Sequence, residues 1–306
     1  MKPVLVLTGP TATGKSVVAM ELAKRLQTEI ISSDSMQIYR SMDIGTAKVS
    51  VENRKKIKHY CIDIVNPNDS FSSFLFKQET LKIISQFVKE NKIPLIVGGT
   101  GFYIKNLLWQ FDFEGTATDR DFRKELQAKL DKDGKEALYS ELFDCDPDTA
   151  KKLYVNDVKR VMRALEIYYS TGIKKSEGNN ASEPIIKNKI FVLNLPRDVL
   201  YKKINERVDE MISKGLYKEV ESLLDTGCKT NAQSMQAIGY KEMVAAVKKE
   251  ITLERAIELI KQHSRNYAKR QITYFKKLEA EWIDASLSVE QICNKIIESY
   301  NSYIIK

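Results

Sequence analysis

The segment from residue 9 to residue 16, Gly-Pro-Thr-Ala-Thr-Gly-Lys-Ser, constrains this chain more than any other feature, because it matches the phosphate-binding loop G-x-x-x-x-G-K-[S/T]. A short apolar segment of strand type (residues 4–8) precedes it, and a segment of helix-forming composition (residues 17–26) follows it. The two glycines let backbone amides and the positive end of the helix face an oxyanion. The sequence therefore predicts a di- or triphosphate ligand rather than a chance glycine turn.

Charge, hydropathy and cysteine spacing narrow the class of protein. The 306 residues suggest one or two domains, and a formal charge of +8 favours an anionic partner, although a solvated lysine face would give the same charge. The apolar N-terminal stretch is too short for a secretory signal, and no apolar run approaches the ~20 residues of a membrane span. We therefore expect a cytoplasmic protein without membrane contact. Isolated cysteines without C-x-x-C spacing predict free thiols rather than disulfides or a zinc site: Cys61, Cys145, Cys228 and Cys293.

The order of apolar segments predicts an α/β fold, a P-loop NTPase-like parallel sheet core with a helical insertion domain. Strands are expected at residues 29–32, 61–65, 94–97, 190–195 and 282–284, and a helix at 71–89. Residues 112–184 are charged, helical in pattern and poor in strand signals. We therefore expect a core formed by residues 1–111 and 185–306, with a helical C-terminal part, and an insertion formed by residues 112–184.

Acidic residues near the predicted sheet edge do not fit an NTP hydrolase. Such an enzyme usually has an acid after a second buried strand, but here that strand ends in Gly98-Gly99-Thr100-Gly101. Asp34 instead follows the predicted second strand, at the carboxyl edge where ligands bind. An aspartate among serines is also a common helix cap, and a glycine-rich turn often only needs positive φ. Both structural alternatives stay open beside a general base at Asp34 and a ligand-facing Thr100 hydroxyl.

Seven segments occur in an order that closely resembles bacterial tRNA dimethylallyltransferases, over nearly the whole chain. They are residues 9–16, Asp-Ser-Met-Gln-Ile-Tyr at 34–39, Met-Asp-Ile-Gly-Thr-Ala-Lys at 42–48, Val-Gly-Gly-Thr-Gly at 97–101, Lys-Arg-Val-Met-Arg-Ala-Leu-Glu at 159–166, Ile-Gly-Tyr at 238–240 and Ala-Lys-Arg-Gln-Ile-Thr-Tyr-Phe at 268–275. The resemblance implies transfer of a dimethylallyl group from dimethylallyl diphosphate to the exocyclic N6 amine of the adenosine 3′-adjacent to the anticodon, releasing pyrophosphate. Departures are small: Thr13 replaces a more usual serine, and His59-Tyr60 a more usual His-His.

The resemblance also implies roles for individual residues in catalysis and donor binding. Asp34 would accept the proton of the attacking amine, with Thr100 and Arg207 as further catalytic residues. Arg207 taken alone would more often be an exposed helix residue. Mg²⁺ would be held with Ser16. The diphosphate would be bound by Gly9, Pro10, Thr11, Ala12, Thr13, Gly14, Lys15 and Ser16.

Basic residues predict where RNA binds. Lys159, Arg160 and Arg163 share a predicted helix face, and residues 261–277 contain six basic residues and no acid, with Tyr267, Tyr274 and Phe275 among them. A solvated basic helix is the alternative. The resemblance implies tRNA contacts by Asp34, Ser35, Met36, Gln37, Thr100, Arg123, Lys159, Arg160, Val161, Met162, Arg163, Gln236, Ala237, Ile238, Gly239, Tyr240, Lys241, Lys269, Arg270, Gln271, Ile272, Thr273, Tyr274, Phe275 and Lys276.

The function predicted from the sequence is therefore a tRNA prenyltransferase, most simply a monomer, with the tRNA anticodon stem-loop and dimethylallyl diphosphate as partners. A small-molecule kinase is the alternative enzyme, since such kinases also pair this loop with an early aspartate. The length, the insertion and the basic C-terminal half argue against it. An RNA-binding ATP switch would need a water-activating acid that the sequence does not offer.

Overall fold

The computed structural model describes residues 2–112, 120–178 and 183–305. Residues 113–119 and 179–182 of the expected insertion lie outside the described residues. The strands are β1 (Val4–Thr8), β2 (Ile30–Ser32), β3 (His59–Tyr60), β4 (Leu95–Val97), β5 (Asn188–Asn194) and β6 (Glu281–Asp284). The helices are α1 (Lys15–Arg25), α2 (Val51–Lys56), α3 (Ser73–Lys89), α4 (Gly101–Leu108), α5 (Arg120–Cys145), α6 (Pro147–Ala150), α7 (Val158–Thr171), α8 (Arg197–Ser213), α9 (Leu216–Asp225), α10 (Tyr240–Val247), α11 (Leu253–Phe275) and α12 (Val289–Ile305).

The six strands form one parallel sheet in the order β3-β2-β4-β1-β5-β6. Strand β1 is central, pairs with β4 and β5, and is entirely buried. All strands point the same way, so their carboxyl ends meet at one edge of the sheet. The phosphate loop follows β1, Asp34 follows β2 and the glycine-rich turn follows β4, which brings three segments far apart in sequence to that edge. The predicted α/β core with a parallel sheet is confirmed.

Four expected strands are present with ends shifted by up to two residues, but the strand expected at residues 61–65 is wrong. The observed strand β3 ends at Tyr60. Cys61 and Asp63 have φ values of 59° and 56°, in the left-handed region that cannot continue an extended ladder. Val65 forms only an isolated bridge with Tyr39. The apolar composition of this segment reflects burial of Cys61 and Ile62 in an irregular loop, not a strand.

The core on one face of the sheet is built from β1 and the two helices α1 and α12. Leu5 and Leu7 of β1 contact Val18 and Leu22 of α1, in one buried cluster that also contains Ile292, Ile296 and Tyr300 of α12. The Tyr300 hydroxyl donates a 2.5 Å hydrogen bond to the carbonyl oxygen of Pro3, just before β1. This hydrogen bond joins α12 to the residue that immediately precedes β1.

The chain divides into two compact units, residues 1–108 with 186–306 and residues 109–185. The second unit contains α5, which is interrupted at Gly134 (φ 82°), together with α6 and α7. It has its own buried apolar cluster, in which Leu126 and Leu142 of α5 pack against Val161 and Leu165 of α7. No helix in the described part of the chain combines the length and apolarity needed to span a membrane.

We predict that Tyr300→Phe lowers the free energy of unfolding by about 1–3 kcal/mol, because it leaves the buried Pro3 carbonyl without its donor. Tyr303→Phe is the matched control, since it removes a hydroxyl from the same helix without a hydrogen bond to β1. Equilibrium urea unfolding followed by fluorescence measures both. Equal stability of the two variants would contradict the role of this hydrogen bond.

Candidate active site

The phosphate loop requires glycine at two positions for different reasons. Gly9 has φ 146°, and a Cβ there would lie 2.4 Å from the carbonyl oxygen of Leu193 on the neighbouring strand β5. Gly14 has φ 81° and precedes α1, whose N-terminus has no side-chain cap. The amides of Val17 and Val18 donate to the carbonyl oxygen of Gly14, so those of Lys15 and Ser16 are left for an anion.

Two cations and one carboxylate face the cavity in front of this loop. The cavity is lined by residues of the loop and by Asp34, Arg207, Gly98 and Gly99. The Lys15 ammonium donates a 2.7 Å hydrogen bond to the carbonyl oxygen of Pro10 within the loop. Burial and, less strongly, the Arg207 guanidinium lower the pKa of Lys15 to about 7, while Asp34 opposes the shift. Burial also lowers the pKa of Arg207. A bound anion would replace the solvation that both cations lack.

Asp34 caps a turn and also faces the cavity where a general base is expected. Its Oδ1 accepts hydrogen bonds from the backbone amides of Met36 at 2.9 Å and Gln37 at 3.4 Å, so it does cap a turn. The same residue also lines the loop cavity and a second cavity beside it. Capping through Oδ1 fixes the carboxylate in place, and Oδ2 takes no part in it.

The glycine-rich turn after β4 is explained by close packing, and the expected positive φ is wrong. None of Gly98, Gly99 and Gly101 has a positive φ. A Cβ at Gly98 would lie 2.5 Å from the backbone carbonyl carbon of Ser33. At Gly99 and Gly101 it would lie 2.5 Å from Gln271 Nε2 and 2.4 Å from Tyr274 Cδ1, so these two glycines make room for α11.

Thr100 stands behind the Asp34 segment. Its hydroxyl accepts a 3.0 Å hydrogen bond from the Ser35 amide and lies 3.3 Å from the Ser35 hydroxyl. It is not among the residues that line the two cavities. Its contacts therefore orient the segment that carries Asp34.

The second cavity shares Thr11, Asp34 and Arg207 with the loop cavity. The two have volumes of about 270 and 330 Å³, each suited to a small ligand or a single base rather than to a folded macromolecule. The remaining lining residues of the second cavity are Ser35, Met36, Gly45, Thr46, Ile204, Val208, Met211, Gln236, Ala237, Ile238, Tyr240, Ile260, Ser264, Tyr267 and Arg270.

Glu219 of α9 holds one wall of the second cavity, and the sequence carried no signal for it. Its carboxylate accepts hydrogen bonds from three successive backbone amides, those of Asp43 (2.9 Å), Ile44 (2.7 Å) and Gly45 (3.1 Å), and from the Tyr240 hydroxyl (2.5 Å). A Cβ at Gly45 would lie 2.4 Å from the Tyr240 ring. The segments at 42–48 and 238–240 thus meet through this carboxylate, which explains their residue types.

His59 is a second residue of the site that the sequence did not identify as functional. It lines the loop cavity, and its Nδ1 lies 2.7 Å from the carbonyl oxygen of Ile57. Burial lowers the pKa of His59, which favours the neutral imidazole. In the sequence, His59 stands out only as part of the pair His59-Tyr60, which replaces the His-His more usual in the family.

The residues expected to bind RNA differ in exposure. Lys159, Arg160, Lys269 and Arg270 are exposed, as are Arg123, Gln236, Lys241, Thr273 and Lys276. Ser35, Met36, Gln37, Thr100, Arg163, Ala237, Ile238, Ile272 and Tyr274 are partly buried.

Six expected RNA-contacting residues are buried: Val161, Met162, Gly239, Tyr240, Gln271 and Phe275. Phe275 is fully buried, so stacking of this side chain on a base, as the aromatic spacing suggested, is wrong. Val161 and Met162 belong to the apolar core of the second unit. Arg163 and Arg123 lie 3.3 and 3.5 Å from the buried carboxylate of Glu166.

Metal-binding groups are sparse in the described residues. No group of three or more histidine, cysteine, aspartate or glutamate side chains is arranged to hold a metal ion in residues 2–112, 120–178 and 183–305. All four cysteines lie in these ranges and are free thiols. The Ser16 hydroxyl is exposed at the phosphate loop, in the cavity that Asp34 also lines.

Comparison with known proteins gives the family. A model of the IPP transferase family matches residues 37–278, and one of isopentenyl transferases matches residues 2–66. The chain is 44% identical over 288 residues to a tRNA dimethylallyltransferase of Acetivibrio thermocellus, covering 93% of this chain and 92% of the relative. It also resembles the crystal structure of the tRNA isopentenylpyrophosphate transferase of Bacillus halodurans (38% identity, 99% and 98% of the two chains, TM-score 0.74). A eukaryotic dimethylallyltransferase acting on tRNA is 30% identical, with 93% and 74% covered and a TM-score of 0.81. With the phosphate loop, Asp34 and Arg207 assembled at one sheet edge, these similarities show that the chain belongs to the tRNA dimethylallyltransferase family.

Proposed function

We propose that this chain transfers the dimethylallyl group of dimethylallyl diphosphate to the N6 amine of the adenosine 3′-adjacent to the anticodon of tRNA, releasing pyrophosphate. The observation that carries the mechanism is that Asp34 and Arg207 line both the phosphate-loop cavity and the adjoining cavity. A donor held in the first and a base held in the second would meet between a carboxylate and a guanidinium.

The donor half of the reaction depends on fixed positive charge. When the allylic carbon–oxygen bond breaks, negative charge grows on the departing pyrophosphate. The Lys15 and Ser16 amides at the start of α1, the Lys15 ammonium and the Arg207 guanidinium already lie at the loop cavity, so they stabilise that charge without reorganising. Because the two cations are poorly solvated, an anion that gains charge binds them more strongly.

The residues of the loop fit Mg²⁺ that arrives with the donor. A small hard cation bound through one or two protein oxygens and substrate phosphates needs no dedicated protein cage, in accord with the sparse ligands of the described residues. Ser16 would supply its hydroxyl, and Asp34 is the one carboxylate among the described residues that line the cavity. The ion would neutralise charge on the leaving pyrophosphate.

The acceptor half depends on Asp34. The adenine amine attacks the allylic carbon, the nitrogen–carbon bond forms as the carbon–oxygen bond breaks, and the proton released by the amine moves to the Asp34 carboxylate. A carboxylate is a weak base toward a resting amine, but it suffices for one that becomes acidic during attack. Since Oδ1 is held by two backbone amides, Oδ2 is the oxygen available for the proton.

The second cavity suits the base and the hydrocarbon tail. Ile204, Val208 and Met211 form one apolar wall from α8, and Tyr267 and Arg270 of α11 lie on the lining as well. The target base must leave the stacked anticodon loop at a cost of a few kcal/mol. Lys159 and Arg160 of the second unit and Lys269 and Arg270 of the first are exposed, so each pair can offset that cost through phosphate contacts.

Comparison of a tRNA anticodon stem-loop with AMP, at matched concentration, tests the proposal. Both acceptors present the same amine, but only the RNA can use the exposed basic residues. We expect efficient prenylation of the stem-loop and negligible prenylation of AMP. Comparable turnover on both would leave a nucleotide prenyltransferase as the better assignment.

Asp34→Asn is predicted to lower turnover by about 10²- to 10⁴-fold with little change in stem-loop affinity. Asparagine keeps the Oδ1 acceptor of the Met36 amide, so the turn survives while the proton acceptor is lost. The control is Asp209→Asn, which neutralises an exposed carboxylate paired with Lys261. Single-turnover rates at saturating donor measure the effect, and a near-normal rate would exclude Asp34 as the base.

Donor affinity should fall as pH rises above about 7. Lys15 has a pKa of about 7 in the free protein, and a bound diphosphate raises it, so the ion pair contributes fully to donor affinity below about pH 7, and this contribution declines as the pH rises toward the higher pKa of the complex. Calorimetry with dimethylallyl diphosphate, without RNA, between about pH 7.5 and 9.5 should show up to tenfold weaker binding per pH unit. Lys15→Gln should bind more weakly with a flatter profile; parallel profiles for the two proteins would contradict this role.

Replacing Lys159 and Arg160 by Gln should weaken stem-loop binding and reduce the slope of log affinity against log salt by roughly 0.7–0.9 per lost phosphate contact. Arg163 is left unchanged because it pairs with the buried Glu166 carboxylate. Lys82 and Lys89 on α3, both exposed, give a control double variant with the same loss of charge. If the test and control variants had the same slope, this face would be an ordinary solvated surface.

A further inference from the structure

Gln271 of α11 joins the two backbone segments that border the phosphate-loop cavity. Its Oε1 accepts a 3.0 Å hydrogen bond from the Thr11 amide, and its Nε2 donates a 2.8 Å hydrogen bond to the carbonyl oxygen of Gly99. The side chain is 5% exposed. A single amide therefore bridges a loop and a turn that are 260 and 172 residues away from it in the chain.

The glycine-rich turn is shaped around this side chain. A Cβ at Gly99 would lie 2.5 Å from Gln271 Nε2, and one at Gly101 would lie 2.4 Å from the Tyr274 ring, three residues further along α11. A side chain at position 99 would push α11 away and break the hydrogen bond from Gln271 Nε2 to the Gly99 carbonyl oxygen. The absence of side chains at 99 and 101 is thus explained by the seating of α11.

Two further side chains connect the surroundings of Gln271 to the segment that carries Asp34. Burial and, less strongly, Asp34 raise the pKa of Tyr267 to about 12, and the side chains of Thr100 and Gln271 oppose this rise, so both lie close to the Tyr267 hydroxyl. The Thr100 hydroxyl accepts a hydrogen bond from the amide of Ser35, next to Asp34. Side chains around Gln271 therefore reach the Asp34 segment as well as the phosphate loop and the glycine-rich turn.

We propose that Gln271 is a positioning residue for the phosphate loop, and not the RNA contact expected from its place in the basic segment. This inference rests on the proposed function only for the identity of the diphosphate. Since the Thr11 amide is already used by Gln271 and Pro10 has no amide hydrogen, the donor is bound by amides from Ala12 onward. The start of the loop is held in one conformation before the ligand arrives, which lowers the entropy lost on binding.

A direct RNA contact is disfavoured by the hydrogen bonding of this residue. Both polar atoms of the Gln271 amide have backbone partners, and the side chain is buried, whereas the adjacent Lys269 and Arg270 are exposed. Because the side chain is only 5% exposed, a contact to RNA would require it to turn outward, which would break these bonds and leave a buried backbone group unpaired.

The test measures donor and RNA binding separately in Gln271→Leu, Gln271→Glu and the control Gln262→Leu, an exposed position of the same helix. Calorimetry gives the affinity for dimethylallyl diphosphate without RNA, and anisotropy gives that for a labelled anticodon stem-loop. We expect Gln271→Leu to weaken donor binding about tenfold or more, and stem-loop affinity to stay within about twofold of the parent. Gln262→Leu should change neither.

Gln271→Glu keeps the size of the side chain and adds a readout specific to the hydrogen bond. An ionised carboxylate can accept from the Thr11 amide but repels the Gly99 carbonyl, whereas its protonated form can donate to it. Burial raises the pKa of a carboxyl at this position above the usual ~4.3, so the ratio of parent to variant donor affinity should fall toward one as the pH is lowered to about 5. A general packing defect would not recover in this way, so this variant decides the matter even if Gln271→Leu is unstable.

Three outcomes overturn the inference: donor affinity equal to that of the parent in both variants, a selective loss of stem-loop affinity, or a pH-independent defect in Gln271→Glu. A parent protein that binds the stem-loop but no diphosphate would instead overturn the proposed function. The two failures are therefore distinguishable.

Discussion

The parallel pairing of β1 between β4 and β5 is the constraint on which the rest of the structure depends. It brings the carboxyl ends of the strands to one edge, where the phosphate loop, the Asp34 segment and the glycine-rich turn emerge side by side. They are so close that a Cβ at Gly9 would collide with Leu193 and one at Gly98 with Ser33. Glycine is needed at these positions because neighbouring backbones occupy the space of a side chain.

The close packing at this edge of the sheet also changes the ionisation of the charged side chains there. Lys15 and Arg207 are held near each other with little solvent, which lowers the pKa of both. Such an arrangement is costly without a ligand and favourable with an anion that gains charge during the reaction. Asp34 adds the opposite charge at the border of the adjoining cavity. In the reaction that we propose, the two cations would stabilise the leaving group and Asp34 would accept the proton.

The parts of this site that are local in sequence could be predicted. The residues that hold the site together through hydrogen bonds to distant segments of the chain could not. The phosphate loop, the strand before it and Asp34 carry signals within a few residues, because glycine spacing and apolar runs act locally. Glu219 is an ordinary helical acid until the fold brings it to three amides about 175 residues away. Gln271 lies in a basic segment that suggests RNA binding, and only the packing of α11 against Gly99 reveals its two backbone partners. The irregular loop at 61–65 was mistaken for a strand because burial gives loops and strands the same apolar composition.

Mass spectrometry of an unmodified tRNA transcript incubated with the protein, Mg²⁺ and dimethylallyl diphosphate would show directly whether the chain is a tRNA prenyltransferase. We expect a dimethylallyl increment on the adenosine 3′-adjacent to the anticodon after nuclease digestion, with one pyrophosphate released per modified tRNA. An unmodified transcript, an increment on a different nucleotide, or phosphate transfer from ATP in its place would contradict the assignment of the loop to an allylic diphosphate and of Asp34 to the acceptor amine.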